Sequence, residues 1–314
     1  MHPPIKPFNS FFLETKDKAH SIYVEECGNI NGLPIIYLHG GPGGSIDKKN
    51  RRYFNPKKYR IILFDQRGSG KSKSAHSLVN NTTDNLVSDI EEIRKFLKIK
   101  KWLIFGGSWG STLALVYSIR NPFNVLGMVL RGVFLGTKEE AYWAFHYSAK
   151  YFYPEVINDI ENKFKKKKGK IFLELGRMLD SKKKNLVSQA SFIWEKYERT
   201  LSVLNPGKVN ILKIRKKKKI PNSPILEWHY TKNNFFLKKN EIISNLNKIK
   251  TIPTIIIQGR YDLICPPQSA FLVADKMKNC ELRIIEESGH STSENKIIMN
   301  LLEAVEKIHS KVKK

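Results

Sequence analysis

The chain is poor in cysteine, has no long apolar run, and carries few acidic residues for its number of basic ones. Its three cysteines, Cys27, Cys265 and Cys280, are odd in number and far apart, with no CxxC pair and no Cys/His cluster at zinc spacing. Neither a disulfide framework nor a structural metal is therefore expected, and no cofactor. No stretch approaches the roughly 20 consecutive apolar residues that span a bilayer, and the opening MHPPIKPFNSFFLETKDK lacks the apolar core of a secretion signal. The expectation is a soluble protein of the reducing cytoplasm with no membrane partner. Lys and Arg number 55 against 29 Asp and Glu, a formal net charge of +26. Such an excess can mark a polyanion binder. Here the lysines fall in short runs at 165–170, 182–184 and 215–219, among Asn and Ile, without interleaved aromatics or a nucleic-acid module. An AT-rich coding bias that fills solvated positions with lysine accounts for them, and no specific nucleic-acid partner is expected.

What is present is a rhythm. From residue 34, short apolar runs alternate with helical periodicity, the pattern of a parallel sheet flanked by helices. PIIYL (34–38), RIILF (60–64), WLIF (102–105), LGMVLRGV, TIIIQ (254–258) and ELRIIE (281–286) read as strands. TTDNLVSDIEEIRKFL spaces Leu86, Ile90, Ile93 and Leu97 by four, three and four, which predicts an amphipathic helix capped by Thr82, Thr83 or Asp84. Between about 136 and 245 the strand runs stop, and aromatic, lysine-rich helical segments take over. The expected organisation is one core domain, 1–135 and 246–314, interrupted by a helical cap at 136–245.

Chemistry gathers at the strand ends. Gly106, Ser108 and Gly110 form a GxSxG pattern between WLIF and the helix STLALVYSI, the setting of a nucleophile elbow. A serine hydroxyl needs a base to take its proton, and that base needs a third group to orient it. Asp262 follows TIIIQGRY and His290 follows ELRIIEESG, both just past strand ends where ligands meet open α/β sheets. The order Ser, Asp, His is that of α/β-hydrolases. HGGPGG after the first strand is placed to supply half an oxyanion hole, so the amides of Gly41 and Trp109 are expected to face developing negative charge. His39 in that loop reads as structural, and Asp65 as a loop-organising carboxylate. Neither HGGPGG nor DQRGSGKS has the spacing of a P-loop or a dinucleotide site.

With HGGPGG, RRYFNPKKYRIILFDQRGSGKS, NNTTDNLVSDIE, GGSWGSTLALVYS, LRGVFLG, GRYDLICP and SGHS assembled, the sequence resembles the prolyl aminopeptidases, or proline iminopeptidases, nearly end to end. The resemblance implies an α/β-hydrolase fold and release of N-terminal proline from peptides, with Ser108, Asp262 and His290 as the triad. It further implies that cap glutamates receive the substrate amine, matched here to Glu195 in FIWEKYERT and Glu227 in LEWHYTKNNFF, and that Phe134 lines the proline pocket. Two other readings remain open: an esterase or amidase on the same triad, and a basic polyanion-binding protein with a vestigial hydrolase site.

Overall fold

In a computed structural model of the chain, residues 1–74, 78–164, 171–207, 211–212, 220–221 and 223–312 are described. Eight strands form one sheet: β1 (Asn9–Glu14), β2 (Ser21–Gly28), β3 (Leu33–Leu38), β4 (Tyr59–Phe64), β5 (Trp102–Ser108), β6 (Val125–Val133), β7 (Thr254–Gly259) and β8 (Cys280–Ile285). Their order is β1-β2-β4-β3-β5-β6-β7-β8. β2 runs antiparallel to both β1 and β4, and every pairing from β4 through β8 is parallel. The sheet is thus mostly parallel, as the alternating runs predict, with an antiparallel N-terminal pair that they do not announce.

Continuous apolar strands suit a sheet covered on both faces, because successive side chains point to opposite sides. Ile36, Ile104 and Ile256 pack on one face with Leu86, Ile90 and Ile93 of α1 (Thr83–Phe96) and with Leu113 and Val116 of α2 (Trp109–Arg120). Their neighbours Ile35, Leu103, Phe105, Ile255 and Ile257 pack on the other face. There they meet Ile297, Leu301, Val305 and Ile308 of the last helix, Asn295–Val312. Thr82 caps α1 by accepting a hydrogen bond from the Asn85 amide, one of the three residues considered for that role.

Between β6 and β7 the regular elements among the described residues are all helical. They comprise α3 (Lys138–Tyr142), a π-helical stretch (Trp143–Tyr147), α4 (Ser148–Phe152), α5 (Pro154–Phe164), α6 (Ile171–Leu179), α7 (Lys184–Ser202), α8 (Ser223–Lys232) and α9 (Glu241–Asn245). These helices have their own apolar cluster, built on Ile160, Leu175, Ile193, Trp194, Tyr197 and Trp228. The lysine runs at 165–170 and 215–219 lie outside the described residues, while Lys182, Lys183 and Lys184 are exposed.

Candidate active site

Ser108 ends β5 and stands at the cap position of α2, at φ 57° and ψ −128°, a conformation that non-glycine residues rarely adopt. The turn closes only because its flanking positions lack side chains. A Cβ on Gly106 would come within 2.2 Å of the Gly110 carbonyl oxygen, and one on Gly110 within 2.1 Å of the Leu38 carbonyl oxygen. The Ser108 side chain makes no capping bond to the helix. Its hydroxyl shares a pocket wall with the buried Cys265 thiol, whose ionisation burial pushes well above the usual range.

Asp262 and His290 meet across the ends of β7 and β8. His290 Nδ1 lies 2.7 Å from Asp262 Oδ2. Asp262 is held in turn by the Ile264 and Cys265 amides, which donate to Oδ1 at 3.0 and 2.8 Å, and by Gln258 Nε2, which donates to Oδ2 at 3.3 Å. This arrangement fixes the imidazole tautomer, with the proton on Nδ1 and a lone pair on Nε2. That lone pair is occupied. Arg131 at the end of β6 places Nη1 2.9 Å from His290 Nε2 and donates to the His290 carbonyl oxygen at 3.0 Å. Arg131 Nε is buried without a hydrogen-bond partner among the described residues. Burial lowers the His290 pKa from its ordinary value, the Asp262 carboxylate raises it, and the Arg131 charge lowers it again. The net direction is down.

The loop after β3 closes over the elbow. A Cβ on Gly40 would sit 3.3 Å from Ser108 Cβ and 3.9 Å from its Oγ, and Gly41 lines the same pocket as Ser108. His39 organises that loop: Nδ1 lies 2.9 Å from the Gly40 carbonyl oxygen, and Nε2 accepts the Gln66 amide at 3.0 Å. Asp65 accepts the Ile46 and Lys71 amides and so ties two loops together. Trp109 opens α2, and its indole donates to Gln66 Oε1 at 2.9 Å.

One pocket joins these parts to the helical segment. Its wall includes Gly41, Ser108, Phe134, Ala144, Phe145, Glu198, Glu227, Phe235 and Cys265. Phe134 stands edge-on to Phe235 at 4.9 Å. Glu227, 3% exposed, accepts Trp194 Nε1 at 2.5 Å and hydrogen-bonds both Ser223 and Glu198. Burial raises the pKa of both acids. For Glu198 the Glu227 charge adds to burial and raises it well above its ordinary value, so the pair releases a shared proton less readily than separate carboxyls would.

Glu195, matched by resemblance to the first amine-binding acid, does not line this wall; Glu198 does. The reason is helical register. Glu198 is four residues from Trp194 and shares its face toward Glu227, whereas Glu195 is one residue along and turned about 100° away. Glu195 acts on the site from a distance, its charge helping to raise Glu198. Trp228 points away from the pocket, against Phe172, with its indole donating to Asp180. Sequence reasoning passed over Glu198, Arg131 and Cys265. The spacing to Trp194 was the available signal for the first; the sequence carried none for the other two.

A family model of the alpha/beta hydrolase fold matches residues 34–296. The chain is also 40% identical over 311 residues to a proline iminopeptidase of Arabidopsis thaliana, an alignment covering 98% of this chain and 82% of the relative. The chain belongs to the proline iminopeptidase family. A proline iminopeptidase of Neisseria meningitidis serogroup B is 38% identical, with 96% of this chain and 97% of that one covered. Among solved structures, an esterase of Exiguobacterium antarcticum superposes with a TM-score of 0.59 at 20% identity, covering 98% of this chain and all of that one. An esterase of Rhodococcus gives a TM-score of 0.62 at 16% identity, covering 99% and 100%. At such identities these two speak for the fold, and the iminopeptidase relatives for the family within it.

Proposed function

We propose that this protein releases N-terminal proline from peptides through a prolyl-enzyme ester, and that residues 136–245 act as the cap that selects the substrate. The observation that carries the reading is the pocket itself, which sets a strained serine opposite the buried Glu227 and the half-buried Glu198 hydrogen-bonded to it. Ser108 Oγ attacks the prolyl carbonyl carbon while His290 Nε2 takes the hydroxyl proton, and Asp262 holds the imidazole in that tautomer. This requires Arg131 to turn away from Nε2. The Gly41 and Trp109 amides receive the developing oxyanion. His290 then gives its proton to the leaving amine, and water hydrolyses the ester by the same route. Glu198 and Glu227 take the secondary ammonium, with Phe134 against the ring. A cation buried there needs opposite charge, since an unpaired buried ion costs several kcal/mol. Peptides with a free N-terminal proline are accordingly the partners, and the cytoplasm the place of action.

Replacing either acid by Gln should lower kcat/KM for a proline anilide by about 2 to 5 kcal/mol, the range for removing one partner of a buried charge pair. The deciding measurement is the ratio of proline-anilide to small uncharged ester hydrolysis in wild type, Glu198→Gln and Glu227→Gln, with Ser108→Ala as the inactive blank. A ratio equal in all three active proteins puts the esterase reading ahead.

A further inference from the structure

The acid pair and the oxyanion loop share a contact. α8, which carries Glu227, begins against that loop: a Cβ on Gly43 would lie 2.9 Å from Leu226 Cβ and 3.0 Å from Ser223 Cα. Ser223, the first residue of α8, lies between the two sites. Its hydroxyl is 3.3 Å from the carbonyl oxygen of Pro42, the residue after Gly41, and it hydrogen-bonds Glu227 Oε1. A serine hydroxyl has one proton to donate, so it serves one of these acceptors fully at a time. While Glu227 is the charged acceptor it holds that proton, because hydrogen bonds to ionised groups are the stronger ones. A substrate ammonium brings charged N–H donors to the same carboxylate and competes for Oε1. The Ser223 proton then turns to the Pro42 carbonyl.

We propose that Ser223 is a positioning residue that couples filling of the amine site to the posture of the oxyanion loop. The inference rests on the amine-site reading above. In the empty site the hydroxyl orients Glu227 and leaves the Pro42 carbonyl weakly held. When the ammonium docks, the hydroxyl fastens that carbonyl and steadies the neighbouring Gly41 amide as charge develops on the substrate oxygen. The effect falls on kcat, since the loop matters most in the transition state. A substrate without an amine gains nothing from it.

The test compares Ser223→Ala and Ser223→Thr with wild type on a proline anilide and on p-nitrophenyl acetate. For Ser223→Ala the anilide kcat should fall on the order of tenfold, less than the 10²–10³ that follows outright loss of an oxyanion donor. The anilide-to-ester ratio of kcat should fall with it, while the anilide KM changes little. Ser223→Thr, which keeps the hydroxyl, should restore most of the ratio. Added pyrrolidinium should speed ester turnover in wild type and Ser223→Thr but not in Ser223→Ala. A rise in anilide KM alone would mean that Ser223 only orients Glu227. An equal loss on both substrates would mean a merely structural role. Either result overturns the coupling. The two readings fail separately: a wild-type anilide-to-ester ratio in Glu227→Gln removes the amine site itself, whereas a reduced ratio there beside an unaltered Ser223→Ala removes only the coupling.

Discussion

His290 receives opposed electrostatic influences from its two polar neighbours, and burial decides between them. Burial lowers its pKa, Asp262 favours the imidazolium, and Arg131 disfavours it. A base whose pKa is lowered stays neutral, and therefore able to accept a proton, further into acid. Arg131→Met removes one of the lowering influences, so the acid limb of kcat/KM should move to higher pH. Profiles of proline-anilide hydrolysis between about pH 5 and 9 measure this; a limb that stays in place or moves toward acid contradicts the account. The strand-end positions of Ser108, Asp262 and His290 were legible in the sequence because each is pinned to the end of an apolar run, where period and chain order fix its place. Arg131 was not, since one arginine in LGMVLRGV carries no sign that its side chain crosses to another strand's loop. Glu198 was missed for a related reason: the Trp-Glu dipeptide attracted the match, although side chains on a helix meet across a turn.

At the scale of elements, the elbow depends on β5 and α2 approaching β3 more closely than any side chain at Gly110 allows. Gly110→Ala should force the turn open and cost about 1 to 3 kcal/mol of folding stability, the range for strain and overpacking in a fixed backbone. Urea denaturation gives the comparison, and a variant within about 0.5 kcal/mol of wild type rules the close approach out. The parallel strands could be read from sequence because both faces are buried and nearly every residue is apolar. β1 and β2 escaped notice because their composition hides their burial. Glu25 and Glu26 of SIYVEECG are 1% and 3% exposed, paired with Arg51 and Arg60 from the following segments. A buried acid whose partner lies far along the chain looks, in the sequence, like a surface residue.

For the whole molecule, the +26 formal charge is the property that sequence describes most fully and structure explains least, since two of the three lysine runs lie outside the described residues. If these lysines only solvate the surface, retention on heparin or DNA should be independent of sequence and disappear with modest salt. The slope of log affinity against log salt measures it, a steep negative slope meaning phosphate contacts only. Sequence-selective binding that persists near physiological salt would revive the polyanion reading.

The sheet order also sets a schedule. β5 delivers Ser108 early in the chain, whereas Asp262 and His290 follow β7 and β8, which add to the open edge of β6 after the whole helical segment. During synthesis, where chains fold from the N-terminal side, the strands up to β6 can assemble with Ser108, the proposed nucleophile, in place and its proposed base not yet made. A half-finished copy therefore holds a serine that nothing activates. The protein becomes a hydrolase only with its last strands, when the helices that form most of the pocket's outer wall have already been made.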